Sequence, residues 1–242
     1  MCTLAFAWHA FDDAPLLVAA NRDESLGRPS EPPVEREWGR RVLAPKDREA
    51  GGTWMGINDA GLFVGVTNLW TDVDGGGERS RGLLVRDALG AADAREARAL
   101  VREAVDADRY NGFYLVLADA RGGTGVDSDS DADAFCCWWD GALHETSFDP
   151  GVHVVANEGF DDGDEKSRWV RDALRDCESP EAWRSRARET LRNHEHEVCV
   201  HGDDYGTRSS TLLTVDDAGE ATVEFADGPP CETTYGDPLS FS

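Results

Sequence analysis

The chain has 242 residues, enough for a sizeable core in one domain or two small ones, and 40% apolar content marks a globular protein. Acidic residues number 48 against 24 basic ones, a formal net charge of −24, so no basic stripe exists to neutralise nucleic-acid phosphates. No apolar run approaches the ~20 residues of a membrane-spanning helix, and the N-terminus lacks the basic region of a signal peptide.

The six cysteines are dispersed without a CxxC pair, which predicts reduced thiols in a cytoplasm. Lys occurs only at Lys46 and Lys166. A dense acidic surface poor in Lys suits molar salt, where the Debye length falls to ~3 Å and self-repulsion is screened, so the expected setting is a salt-accumulating halophile.

Along the chain, Cys2–Ala10 and Leu16–Ala20 read as two apolar strands joined by a hairpin-like connection from Phe11 to Pro15. A polar, Pro-rich stretch runs from Arg28 to Pro45. Thr53–Ile57 and Leu62–Thr67 form a second hairpin across Asn58-Asp59-Ala60-Gly61, residues suited to a tight turn. Gly75-Gly76-Gly77 is a loop. Asp93 with Glu96 opens a helix in which Ala97, Leu100, Val101, Ala104 and Val105 keep helical spacing.

Tyr114–Ala118 and Ala134–Trp139 return to strand, separated by an Asp/Ser-rich loop at residues 127–133, and Val152–Ala156 is a further strand. Trp169, Val170, Ala173 and Leu174 imply a helix; Ser179-Pro180 opens another, with Pro at its first position. Thr211–Val215 and Thr222–Phe225 close the chain as strands. Hairpin groups with helices inserted between them give an α+β layout rather than alternating βαβ, and the absence of a linker predicts one domain over 1–242.

Five polar positions recur at strand ends or in turn-rich segments: Cys2, the Asn21-Arg22-Asp23-Glu24 cluster, Asn68, Asn157 and Arg208. Removal of Met1 would give Cys2 a thiol and a free α-amine on one carbon, so that one residue supplies both nucleophile and base; the bland alternative is a small residue opening a buried strand. If the first two strands pair, Arg22 and Asp23 return towards Cys2, where a cation lowers a thiol pKa and a carboxylate holds an ammonium group. Asn68 and Asn157 follow apolar strands, where a side-chain amide caps a turn or donates to an oxyanion.

Met1-Cys2, Asn21-Arg22-Asp23-Glu24, Gly51-Gly52-Thr53-Trp54-Met55-Gly56, Gly65-Val66-Thr67-Asn68, Ser80-Arg81-Gly82, Asn111-Gly112-Phe113 and Tyr205-Gly206-Thr207-Arg208-Ser209-Ser210-Thr211 together resemble the NRDE family, also called TANGO2-like (transport and Golgi organisation 2). This family in turn looks like the N-terminal-nucleophile hydrolases of the choloylglycine hydrolase and penicillin V acylase branch. The resemblance implies a four-layer αββα sandwich of antiparallel sheets. It implies Cys2 as nucleophile, Arg22 beside it, Asn68 and Asn157 as polar site residues and Arg208 as the late Arg. That branch spaces its Arg and Asp three apart, whereas Arg22 and Asp23 are adjacent and point to opposite faces of a regular strand. Asn21 with Asp23, or Arg22 with Glu24, are the other pairings.

The expected function is hydrolysis of a non-peptide amide or related acyl bond in a small molecule, without a cofactor. The alternative is a non-catalytic haem- or lipid-trafficking protein, in which Trp residues and His9 or His153 contact a porphyrin. His194, His196, Cys199 and His201 resemble a metal cluster by composition, but they sit at a helix end without CxxC or HExxH spacing, so no metal is expected. Cys136-Cys137 reads as core. Trp54 and Trp70 line either an apolar pocket or the core.

Overall fold

The structure is a computed structural model that describes residues 2–71, 73, 77–121 and 133–242. Met1, Gly75 and Gly76, and most of the loop expected at 127–133, lie outside the described residues. The chain divides into two compact units, Met1–Arg28 with Pro150–Ser242 and Pro29–Asp149.

The first unit is built on a six-stranded sheet in the order β10-β1-β2-β11-β12-β13. Its strands are β1 (Thr3–Phe11), β2 (Ala14–Ser25), β10 (Gly151–Val155), β11 (Tyr205–Val215), β12 (Ala221–Ala226) and β13 (Leu239–Phe241). Every neighbouring pair is antiparallel. Alternation along the strands sends Ala5, Ala7, Leu17, Ala19, Val154 and Leu212 to one shared core, where they meet helices α3 (Glu165–Leu174) and α4 (Pro180–Thr190) through Val170, Leu174, Trp183 and Ala187. Each helix opens on a short polar cap, the Asp164 and Ser179 side chains accepting from Ser167 N and Ala182 N. Trp183 is fully buried in this core, a site where truncation to Ala costs about 3–5 kcal/mol.

The second unit carries a seven-stranded antiparallel sheet in the order β3-β4-β5-β6-β7-β8-β9. These are β3 (Ser30–Glu37), β4 (Arg41–Asp47), β5 (Met55–Asn58), β6 (Leu62–Asn68), β7 (Phe113–Asp119), β8 (Ala134–Trp139) and β9 (Leu143–Ser147). Helices α1 (Arg81–Ala88) and α2 (Ala94–Ala107) share a core with it: Leu84, Val85, Ala97 and Val101 pack with Val64, Leu115 and Cys137. Asn58 fixes the β5–β6 turn. Its Oδ1 accepts from Ala60 N and Leu62 N, its Nδ2 donates to Leu89 O and Ala91 O, and Gly61 supplies the positive φ of 90°.

The α+β class, both hairpins and the helices opened by Asp93 and Ser179 match the sequence-based expectations. Three points differ. The polar stretch from Arg28 to Pro45, to which the sequence assigns no element, carries the strands β3 and β4; β3 is an edge strand that places Pro32-Pro33 at a register shift, where two missing N–H donors cost the ladder little. Helix α1 was hidden because it has two turns and a Gly at its second residue, too short for a periodicity to emerge. Strand β11 starts six residues before the expected Thr211, because a bulge at Arg208 interrupts the alternation that marks a strand. Among the described residues no helix is long and apolar enough to cross a membrane.

Candidate functional site

Four neighbouring strands of the first unit bring the candidate residues together. Thr3 pairs with Asn21, and Leu4 pairs with Val155, so Cys2 precedes β1 beside the end of β2 on one side, while Asn157 lies just past β10 on the other. On the far side of β2, Asp23 pairs with Thr207 and Arg22 with Ser209, leaving Arg208 as the extra residue of a bulge in β11.

The adjacency of Arg22 and Asp23 resolves by strand alternation. Arg22, 5% exposed, reaches Glu24 at 3.8 Å on one face of β2. Asp23, 1% exposed, sends its carboxylate to the opposite face, where Thr207 Oγ1 donates to Oδ1 at 2.6 Å. What Asp23 presents to the thiol is its backbone: Cys2 Sγ lies 3.6 Å from Asp23 O, which also accepts from Tyr205 Oη at 2.9 Å. Asn21 is on the Asp23 face and has a structural task, donating to Leu191 O and Val198 O, each at 2.8 Å.

Burial dominates the electrostatics. The Cys2 residue is partly open to solvent, yet its thiol is enclosed enough that desolvation raises its pKa above the ordinary value; the Asp23 charge adds to this and the Arg22 guanidinium opposes it. Cys2 is therefore a thiol at neutral pH, a poor nucleophile until a base takes its proton. Desolvation likewise raises the Asp23 pKa, against the Thr207 hydrogen bond and the Lys166 charge. The Tyr205 hydroxyl is pushed up by burial and then by Cys2 and Asp23.

Lys166 was not singled out in the sequence. It stands in the first turn of α3, donates to Glu197 O at 2.7 Å, and has its pKa lowered by desolvation while the charges of Asp23, Glu197, Asp164 and Cys2 hold it up. It lines a cleft of about 270 Å³ with Asn157, Glu158, Asp164, Glu195 and His196. This places the second Asn and the ammonium on the wall of one cavity.

The remaining candidates have the following settings within their own units. Arg208, half-exposed on its bulge, donates through Nη1 to Leu26 O. Asn68 belongs to the second unit, ending β6 opposite Phe113 and lining a pocket with Leu69, Trp70, Arg81 and Asn111. Trp70 is 64% exposed. His153 is buried, its Nδ1 2.8 Å from Asp161 Oδ2. Cys136 and Cys137 are core, as expected. Thr207, Tyr205 and Lys166 escaped the sequence reading because their placement depends on the bulge and on α3 docking; the motif Tyr205-Gly206-Thr207-Arg208 was the available signal.

Comparison with known proteins bears on the family and the fold. The family model described as transport and Golgi organisation 2 matches residues 1–182. A transport and Golgi organization protein 2 homolog from Bos taurus is 30% identical over 92% of this chain and 91% of its own length. Among solved structures, the penicillin V acylase from Agrobacterium tumefaciens superposes with a TM-score of 0.56 at 15% identity, covering 99% of each chain. The Caenorhabditis elegans ortholog of N-acylethanolamine-hydrolyzing acid amidase gives 0.54 at 12% identity, over 88% of this chain and 92% of that one. At such identities the likeness shows the fold alone, one that this chain shares with that acylase and that amidase.

Proposed function

The chain belongs to the transport and Golgi organisation 2 family, and on that premise we propose that it is an N-terminal-nucleophile hydrolase cleaving a non-peptide amide or other acyl bond through Cys2. The observation that carries the reading is the Cys2 thiol 3.6 Å from the Asp23 carbonyl, between the Asp23 and Arg22 charges, in a fold shared with an acylase and an amidase.

Once Met1 is removed, the Cys2 α-amine takes the thiol proton. The thiolate forms a C–S bond to the substrate carbonyl carbon, and the carbonyl electron pair becomes an oxyanion. Asn157 is the amide this unit offers to that oxyanion, a contact worth roughly 3 kcal/mol in favourable cases. Collapse breaks the C–N bond, and the leaving amine carries off the proton held by the α-ammonium. Water then attacks the thioester and gives a proton to the amine; collapse releases the carboxylic acid and the Cys2 thiolate, which takes that proton back to become the thiol. In this reading Asp23 supplies the negative charge that holds the α-ammonium, and Arg22 the positive charge that favours the thiolate. Cys2→Ala keeps the amine and deletes the thiol, so turnover of N-acyl substrates is expected to disappear; an unchanged rate would end the mechanism.

The family's description, transport and Golgi organisation 2, favours a second reading, a non-catalytic trafficking protein, for which the family resemblance suggests haem or lipid as the ligand. Haem titration separates the two: a saturable optical shift that survives Cys2→Ala supports binding, and no shift removes haem from consideration.

A further inference from the structure

A cluster in the first unit, away from the residues used above, has the composition and spacing of a metal centre. His194, Cys199, His201 and Cys231 each offer one ligand atom, and these atoms all lie within 4.8 Å of one another. The first three come from the turn that follows α4. The fourth is thirty residues further on, in the segment after β12, which is why sequence spacing did not reveal the set.

Three of the ligand atoms lie close to the spacing that one ion imposes. Cys199 Sγ is 3.6 Å from Cys231 Sγ and 3.8 Å from His201 Nε2, and His201 Nε2 is 3.1 Å from Cys231 Sγ. A tetrahedral zinc with bonds of about 2.3 Å to sulfur and about 2.0–2.1 Å to nitrogen separates its ligand atoms by roughly 3.3–3.8 Å. The sulfurs are also far beyond the ~2.05 Å of a disulfide. The fourth ligand is oriented by the backbone: His194 Nδ1 lies 3.0 Å from Cys199 O. A carbonyl only accepts, so Nδ1 carries the proton and Nε2 the lone pair, the arrangement in which an outer hydrogen bond sets the tautomer of a ligating His.

We infer that His194, Cys199, His201 and Cys231 form a structural zinc site that clips the turn after α4 to the C-terminal segment. A Cys₂His₂ set selects zinc among the common divalent ions, and four protein ligands leave no open position for catalysis. Binding converts two thiols to thiolates and releases two protons to solvent. The consequence for the fold is local order. The clipped turn supplies Val198 O to Asn21, Glu197 O to Lys166, and Val200 N to Thr207 Oγ1, which itself donates to Asp23. The zinc site thereby holds the backbone on which the Asp23 and Lys166 contacts rest.

Cobalt(II) titration of the reduced, full-length chain tests this. The expected result is visible d–d absorption of a tetrahedral ion with a near-ultraviolet thiolate band, saturating at one ion per chain and bleached by zinc. Cys231→Ser and the exposed-site variant His201→Ala should each weaken cobalt binding at least roughly ten-fold, the scale on which even outer-shell partners act. Cys177→Ser, a thiol outside the cluster, should leave the titration unchanged. Zinc should raise the melting temperature of the parent chain but not of His201→Ala, which keeps the test available if Cys231→Ser fails to fold. Absence of cobalt bands, bands that survive both ligand substitutions, or a Cys199–Cys231 disulfide persisting in reductant without metal uptake would each overturn the site.

Discussion

Asp23 is buried with its carboxylate turned to Thr207, and that environment has a measurable consequence. Its pKa in the folded chain is raised above the ordinary 3.8, so the folded state holds the proton more tightly than the unfolded chain. The linked stability is complete below the ordinary value and is lost as pH rises through the raised one. Asp23→Asn does not titrate and should melt at a higher temperature than the parent at pH 7, the gap closing as pH falls below 3.8. Melting curves across that range check this, and a lower melting temperature for the variant at pH 7 would refute it. The same reasoning applies to Cys2. With Met1 retained, alkylation by iodoacetamide should follow a midpoint above that of an ordinary thiol, and loss of Met1 should shift it down by placing an ammonium beside the sulfur. Sequence showed Cys2, Arg22, Asp23 and Asn157 as strand-end residues; it did not show which face each occupies, because that depends on where β1, β2 and β11 fall in register.

Two elements carry the site's geometry and the second unit's hairpin. The bulge at Arg208 lets β11 set Thr207 against Asp23, and Thr207 Oγ1 also accepts from Val200 N at 2.9 Å. Thr207→Val keeps the shape but strips both bonds, and each buried group left unsatisfied costs about 1–3 kcal/mol, measurable by urea unfolding. In the second unit Asn58 joins the β5–β6 turn to the residues after α1 through two hydrogen bonds and closes the turn itself with two more. Asn58→Ala should lower stability by at least about 2 kcal/mol, whereas an effect within ~0.5 kcal/mol would mean the turn holds itself. The Asn58–Gly61 turn was legible because Asn and Gly act locally. Strands β3 and β4 were not, since a Pro-rich edge strand draws its order from a partner rather than from its own residues.

At the scale of the whole chain, a net charge of −24 sets how stability responds to salt. Self-repulsion among carboxylates weakens as the Debye length falls from ~10 Å at 0.1 M to ~3 Å at 1 M, so the melting temperature should climb across that range of KCl. A flat response would detach the acidic composition from salt adaptation. Composition and hairpin order were enough to indicate the α+β class. Neither could join Cys231 to His194, Cys199 and His201, a contact between segments that share no pattern. The central claim remains chemical: Cys2 is an acyl-accepting nucleophile. Intact-mass spectrometry of the purified chain treated with a reactive acyl ester tests it most directly. The account predicts a species lacking Met1 that gains one acyl group on Cys2 and loses it again to water. A chain that retains Met1 and stays unmodified at Cys2, or labelling that continues undiminished in Cys2→Ala, would contradict it.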